Sequence, residues 1–242
     1  MKLTDQTLVV VGGTSGIGLA TAHAAVKAGA RVTIAGRHQD KLALAVAGLG
    51  DEARGESIDA SDRDALDAFF ARTDRVDHLV IAASGGVGGG PFSTLARDDL
   101  ARGFDGKFWV QWQCAHAALP YLSEQGSITF VISISARMGN PGTSGLAAIN
   151  GALAAMVLPL AHELGPVRVN AVSPGVIDTP WWDKHPKALK QRVFEQITAC
   201  VPVRRIGRAE EVADAIIFLA GNDYVTGVIL DVDGGMRGTS PG

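Results

Sequence analysis

Leu8-Val9-Val10-Val11-Gly12-Gly13-Thr14-Ser15-Gly16-Ile17-Gly18-Leu19-Ala20 decides the reading of this chain. The run Leu8 to Val11 is apolar on both faces, which suits a central strand of a parallel sheet covered on both sides. A glycine-rich turn follows, then an alanine-rich segment that favours helix. Gly12 lets the chain turn sharply after the strand. Gly16 and Gly18 keep side chains away, so backbone N–H groups and a helix N-terminus can approach a pyrophosphate. The spacing is Gly-x3-Gly-x-Gly rather than Gly-x-Gly-x-x-Gly, so a glycine-rich turn without a ligand is the competing reading.

Working outward, the whole chain bounds the answer. At 242 residues, 47% hydrophobic and 19% charged, it has the composition of an ordinary globular protein and can bury a substantial core. A net charge of −3 implies no bulk attraction to nucleic acid or to an anionic membrane surface. No apolar run reads as long enough to span a bilayer, and Met1 to Gln6 lacks the pattern of a signal peptide. Two cysteines, Cys114 and Cys200, make no disulfide framework, so a reducing cytoplasm is the expected location. No metal-ligand cluster is legible.

Gly12-Gly13-Thr14-Ser15-Gly16-Ile17-Gly18 resembles the cofactor loop of the short-chain dehydrogenase/reductase family. The resemblance covers residues 5–236. It implies an α/β fold: a Rossmann-type doubly wound parallel sheet with helices on both faces, the cofactor at the carboxyl ends of its strands. Residues 1–242 are expected to form one dinucleotide-binding domain with a substrate lid at about 178–205. Gly12, Thr14, Ser15, Gly16, Ile17 and Gly18 would line the cofactor.

Leu19 to Ala28 reads as the first helix, ended by Gly29, and Arg31 to Ala35 as the second strand. About 20 positions past the loop, dinucleotide folds place an acidic residue on the NAD ribose. Here Gly36-Arg37-His38 holds no carboxylate. A carboxylate would repel the 2′-phosphate of NADP, whereas Arg37 can pair with it through a planar fork. The expected cofactor is therefore NADP(H). Arg37 as a solvated charge is the alternative, and His38 is a weaker contact or part of the turn into the next helix, Asp40 to Leu49. Asp59, with Ala60 beside it, resembles the family's aspartate at the adenine amino group; a turn-capping Asp is the alternative. Ser61 reads as an N-cap for the helix through Phe69 and Phe70. The fourth strand is Asp77 to Ala83.

At the end of that strand the family usually carries Asn-Asn-Ala-Gly; this chain has Ile81-Ala82-Ala83-Ser84. Ala83 still leaves room for the cofactor, but an amide that tethers the central strands is missing. Gly85 to Gly90 reads as a flexible loop, either a wall of the active site or plain slack. Residues 97–122 supply helical sequence broken by Gly103 and Gly106. Lys107 falls where the family carries its catalytic Asn. The fifth strand, Gly126 to Ser133, ends on the family's substrate-orienting serine, Ser133.

Thirteen residues after Ser133 the family's Tyr-x3-Lys should begin, and the positions hold Leu146 and Asn150. The family's lysine lowers the tyrosine's pKa so that the phenol can exchange a proton at neutral pH. Leucine has no proton to give, and Asn150 can still bond the nicotinamide ribose but supplies no charge. Of the four catalytic positions only Ser133 is kept. Pro174, Gly175, Ile177 and Thr179 resemble the segment over the nicotinamide, with Ile177 exchanging backbone hydrogen bonds with the carboxamide. Trp181-Trp182 opens the lid and suggests a flat or apolar ligand, or else packing.

Three functions follow. The first is NADPH-dependent reduction of a small carbonyl, imine or activated double bond with another proton donor: Lys107 first, then Ser133, Ser135, Arg137 or His185. The second is a catalytically silent cofactor-binding or scaffolding subunit. The third is a lyase or isomerase reusing the pocket. The resemblance implies a homo-tetramer or homo-dimer, paired through the helices near 97–122 and 145–164 and through the last strand and helix; a small-molecule substrate is expected, and neither nucleic acid nor membrane as partner.

Overall fold

The computed structural model describes residues 2–238. Seven strands form one parallel sheet in the order β3-β2-β1-β4-β5-β6-β9. They are β1 Thr7–Val11, β2 Arg31–Gly36, β3 Ala53–Ser57, β4 Val76–Ile81, β5 Leu122–Val131, β6 Arg168–Pro174 and β9 Ile229–Val232. A second, two-stranded sheet pairs β7, Ile177–Asp178, with β8, Gly207–Arg208. The order reverses direction at β1, so a crevice opens there at the carboxyl ends of the strands.

The alternation in β1 explains the layering. Leu8 and Val10 face α1, Gly16–Lys27, α2, Gln39–Leu49, and α8, Ala209–Gly221. Val9 and Val11 face the other way, toward α3, Arg63–Thr73, α5, Val110–Ala118, and α6, Ser144–Glu163. Both sides of the strand are closed to water, as the unbroken apolar run requires. The remaining helices are α4, Arg97–Gly103, and α7, Lys187–Cys200.

Four local expectations are corrected. Ser61 is not the cap of α3: Asp62 is, its Oδ1 accepting from the N–H of Asp64 and Ala65 at 3.0 and 3.2 Å. Ser61 instead donates its hydroxyl to Asp59 Oδ1. Gly103 and Gly106 do not break the helix. The chain passes from α4 through a π-helical turn, Phe104–Trp109, directly into α5. Packing against the loop after β4 outweighs the glycines' weak helix propensity. The fifth strand begins at Leu122, where Leu122 pairs with Val76 ahead of a register shift. Finally, α6 is by length and composition apolar enough to cross a membrane, with a mean hydropathy of 1.7. In the fold it is a packed helix whose stripe Gly145, Ile149, Leu153 and Val157 is buried on one face. Cys114 is buried and Cys200 exposed, and neither is in a disulfide.

Candidate active site

The glycine loop is built by close approach. Gly12 has φ +88°, and a Cβ there would stand 2.7 Å from the Ala83 nitrogen. Its N–H and that of Gly13 both donate to the Ala35 carbonyl, at 2.9 and 3.2 Å, which folds the loop back over β2. A Cβ on Gly18 would stand 2.1 Å from the Gly12 carbonyl oxygen, so only glycine lets α1 begin this near β1. Ser15 precedes α1 in an extended conformation without a side-chain cap, and the first turn carries no acidic residue. The first N–H groups of a helix have no partner within it. An N-terminus of this kind can take a phosphate, its dipole favouring negative charge. Ile17 lies in that first turn.

Around this cradle the expected binding residues converge. Thr14 packs on Gly36, the residue before Arg37. Arg37 is exposed at the end of β2 and belongs to none of the ion pairs among the described residues. Asp59 lies near enough to feel its charge. The Asp59 carboxyl is held below the usual carboxylate range first by the Ser61 backbone N–H, then by the Ser61 hydroxyl, with Arg37 contributing less. Asp59 is therefore a turn cap, and Ala60 beside it is buried. His38 sits exposed as the residue before α2 and makes no capping bond through its side chain. On the other flank the Thr179 side chain lies against Gly16, 3.4 Å from where a Cβ would stand. Pro174 closes β6, and the Gly175 N–H donates to Val232 at 3.0 Å. The Ile177 carbonyl already accepts from Trp182 Nε1 at 3.0 Å, so only one of its lone pairs is left for any ligand.

The candidate catalytic floor is tied together by side-chain hydrogen bonds. Ser133 caps a short 3-10 turn, Ile134–Arg137, its Oγ accepting from the Ser135 N–H at 3.3 Å. Lys107 lies in the π-helical turn and donates from Nζ to the Ile132 carbonyl at 3.4 Å, one residue before Ser133. It is half-buried, and burial pushes its ammonium down to about 8. Asn150 is 3% exposed. Its Nδ2 donates to Ser135 Oγ at 3.2 Å and to the Leu146 carbonyl at 2.9 Å, while Oδ1 has no partner among the described residues. An orphaned, buried amide oxygen costs stability unless something donates to it.

Two other candidate donors separate. Arg137 is paired with Asp231 and so is not free to hold a substrate oxygen. His185 packs against Trp181 with ring centroids 4.6 Å apart and planes tilted by 49°, inside an aromatic cluster with Trp182 and Phe194. The Gly85–Gly90 loop is not slack. The Gly90 N–H donates to Gly142 at 2.8 Å, and the Gly88 carbonyl would stand 2.2 Å from a Cβ on Gly145. The loop thus lies across the start of α6, with Gly89 against the Leu146 side chain.

Sequence reasoning missed Gln111, whose side chain holds the Ala83 and Val131 carbonyls in this floor, and Gln113, whose side chain holds the Ala60 carbonyl on the opposite flank, past β3. Their polar side chains on an otherwise apolar helix were the available signal.

Residues 11–237 match the protein family described as enoyl-(acyl carrier protein) reductase. The 3-oxoacyl-(acyl-carrier-protein) reductase of Thermotoga maritima is 30% identical over 258 residues, covering 98% of this chain and 99% of the relative. A 3alpha-hydroxysteroid dehydrogenase of Mediterraneibacter gnavus is 31% identical over 252 residues, covering 98% and 99%. A solved structure described as a small-chain dehydrogenase in complex with NADPH superposes with a TM-score of 0.85 at 30% identity, covering 96% of this chain and 99% of that one.

Proposed function

Since this chain belongs to the short-chain dehydrogenase/reductase family of oxidoreductases, we propose that it is an NADPH-dependent reductase of a small carbonyl, imine or activated double bond, with Lys107 as proton donor. The observation that carries the reading is the Lys107 ammonium, lowered to about 8 and bonded to the Ile132 carbonyl, one residue before Ser133. When bound, NADPH supplies the hydride. The uncapped start of α1 would take the pyrophosphate, and unpaired Arg37 the 2′-phosphate. Asn150 Oδ1 would accept a ribose hydroxyl, which gives its orphaned acceptor a donor. Thr179 would close over the phosphates from the lid side. These residues fit the cofactor by their chemistry, and a solved relative described with NADPH supports the choice.

The remaining steps belong to the chain itself. Ser133 would orient the substrate's electronegative atom by hydrogen bonding. Lys107, protonated below pH 8 and close to neutral exchange, would hand that atom its proton. Leu146 keeps the adjoining wall apolar under the Gly89 loop, and the Trp181 ring beside His185 would offer an aromatic surface to the substrate. An iminium substrate would need no proton at all, so it would depend on Lys107 less than a ketone does.

A second reading, a silent cofactor-binding subunit, is favoured by the Asn150 amide N–H2, which is spent within the protein on Ser135 and Leu146. Assembly as a homo-dimer or homo-tetramer is part of both readings, supported by Trp109, Trp112 and Leu158, exposed on the π-helical turn, α5 and α6. The cytoplasm remains the proposed location. Titration calorimetry with NADPH and NADH, followed by NADPH consumption against ketones, imines and enones, separates the readings. NADPH binding with turnover lost in Lys107→Ala and kept in Ser135→Ala is the expected result. Tight binding with no turnover on any substrate moves the assignment to the silent subunit, and no nucleotide binding sinks both.

A further inference from the structure

One helical segment reaches both halves of the crevice with amide side chains. Gln111, on α5, is 0% exposed. Its Nε2 donates to two carbonyls at once, Ala83 and Val131, each at 3.1 Å. Ala83 follows β4 and Val131 ends β5, so one amide bridges two neighbouring strands where their ladder stops. Two residues on, Gln113 Nε2 donates to the Ala60 carbonyl at 2.9 Å, just past β3. Between β3 and β5 lie β2, β1 and β4, so the two glutamines grip opposite flanks of the crevice.

The Gln111 side chain is an expensive choice for packing alone. Its neighbours on the buried face, Val110 and Cys114, are apolar members of the core, and the Gln111 Oε1 has no hydrogen-bond partner among the described residues. An apolar residue of the same volume would carry no such penalty. What the amide adds is the double donation. The strand end Ile81-Ala82-Ala83-Ser84 carries no side-chain amide of its own, and Gln111 supplies one from the helix side.

We propose that Gln111 and Gln113 are positioning residues for the cofactor cleft, Gln111 for the nicotinamide half and Gln113 for the adenine half. The inference rests on the NADPH reading above. Gln111 sets the spacing of the Ala83 backbone and the strand that leads into Ser133. Gln113 sets the turn that carries Asp59 and Ala60. Neither needs to touch the cofactor.

The test is titration of the full chain with NADPH and, separately, with 2′,5′-ADP, which occupies the adenine half alone. Gln111→Met keeps the volume and removes the donor. It should weaken NADPH about tenfold, one hydrogen bond's worth, and leave 2′,5′-ADP unchanged. Gln111→Glu should fall at least as far, since a carboxylate would face two carbonyls. Gln113→Met should weaken both probes by a similar factor. A general loosening of the fold would weaken both probes in the Gln111 variants too, and that result overturns the assignment. So does an unchanged NADPH affinity in Gln111→Met, or an unchanged 2′,5′-ADP affinity in Gln113→Met. Should Gln111→Met fail to fold, the less buried Gln113 arm still decides. Wild-type protein that binds neither probe overturns the NADPH reading and this inference with it. Wild-type binding with unaltered variants overturns this inference alone.

Discussion

The proposed nucleotide flank and the candidate catalytic floor of this crevice lie on one sheet and are written in different chemistry. The flank is made of backbone: Gly12, Gly18 and the uncapped start of α1 act by shape and by N–H groups that every residue carries. The floor is made of side chains: Lys107, Gln111, Ser133 and Asn150 each act through one functional group. A backbone site is recognisable from glycine spacing because only glycine tolerates those approaches. A side-chain site can be refitted, because a group arriving from a neighbouring helix can reach the same carbonyls. In this chain the side-chain amide at these strand ends comes from Gln111 on α5.

The largest expected effect falls on the floor. Lys107→Ala should lower turnover of a ketone by about a thousandfold, within the range for losing a general acid. Wild-type turnover should fall as pH rises through about 8, because the lysine then arrives without its proton. A flat profile up to pH 9 would remove Lys107 from the proton's path. On the flank, Gly18→Ala should weaken NADPH by about a hundredfold, because its Cβ would stand 2.1 Å from the Gly12 carbonyl. Retained affinity in that variant would break the claim that the flank works by close approach.

The lower end of the same strands provides a control. His78, 2% exposed, bonds Ser127 and Gln6, and its imidazolium is pushed down to about 4. Burial is the main cause, with Arg168 adding to it and Asp77 and Asp223 opposing. The unfolded chain binds this proton at about 6.5, so stability is whole above that value and is lost as pH falls toward 4. At pH 5 the loss should be about 2 kcal/mol, read by denaturant unfolding at pH 5 and 7. His78→Gln should flatten that dependence. The smallest effect is expected from Arg37→Ala: about tenfold weaker NADPH and unchanged NADH, measured by calorimetry. Equal losses for the two cofactors would remove Arg37 from the 2′-phosphate.

Several of these features are legible in the sequence. The apolar run at β1 implied burial on both faces, and the two core layers on either side of it agree. Local donors were harder to read. Ser61 and Asp62 are adjacent cap formers, and the choice of Asp62 depended on Ser61 being drawn to Asp59. Gly103 and Gly106 looked like breaks, yet the chain keeps turning there as a π-helical turn. Arg137 read as a free cation until Asp231, from the far side of the sequence, was found beside it.

By itself the sequence determined the alternation of strands and helices, the glycine loop, and which chemical groups stand at 107, 133, 146 and 150, because periodicity, backbone sterics and residue identity are local properties. Tertiary structure alone decided where the side-chain donors point: Gln111 to two strand ends, Asn150 inward to Ser135, the Gly85–Gly90 loop onto Leu146. Those outcomes depend on which acceptor comes within about 3 Å of a given amide and on which side chain a loop packs against. That distance is set by packing between segments far apart in the chain, and no spacing along the sequence encodes it.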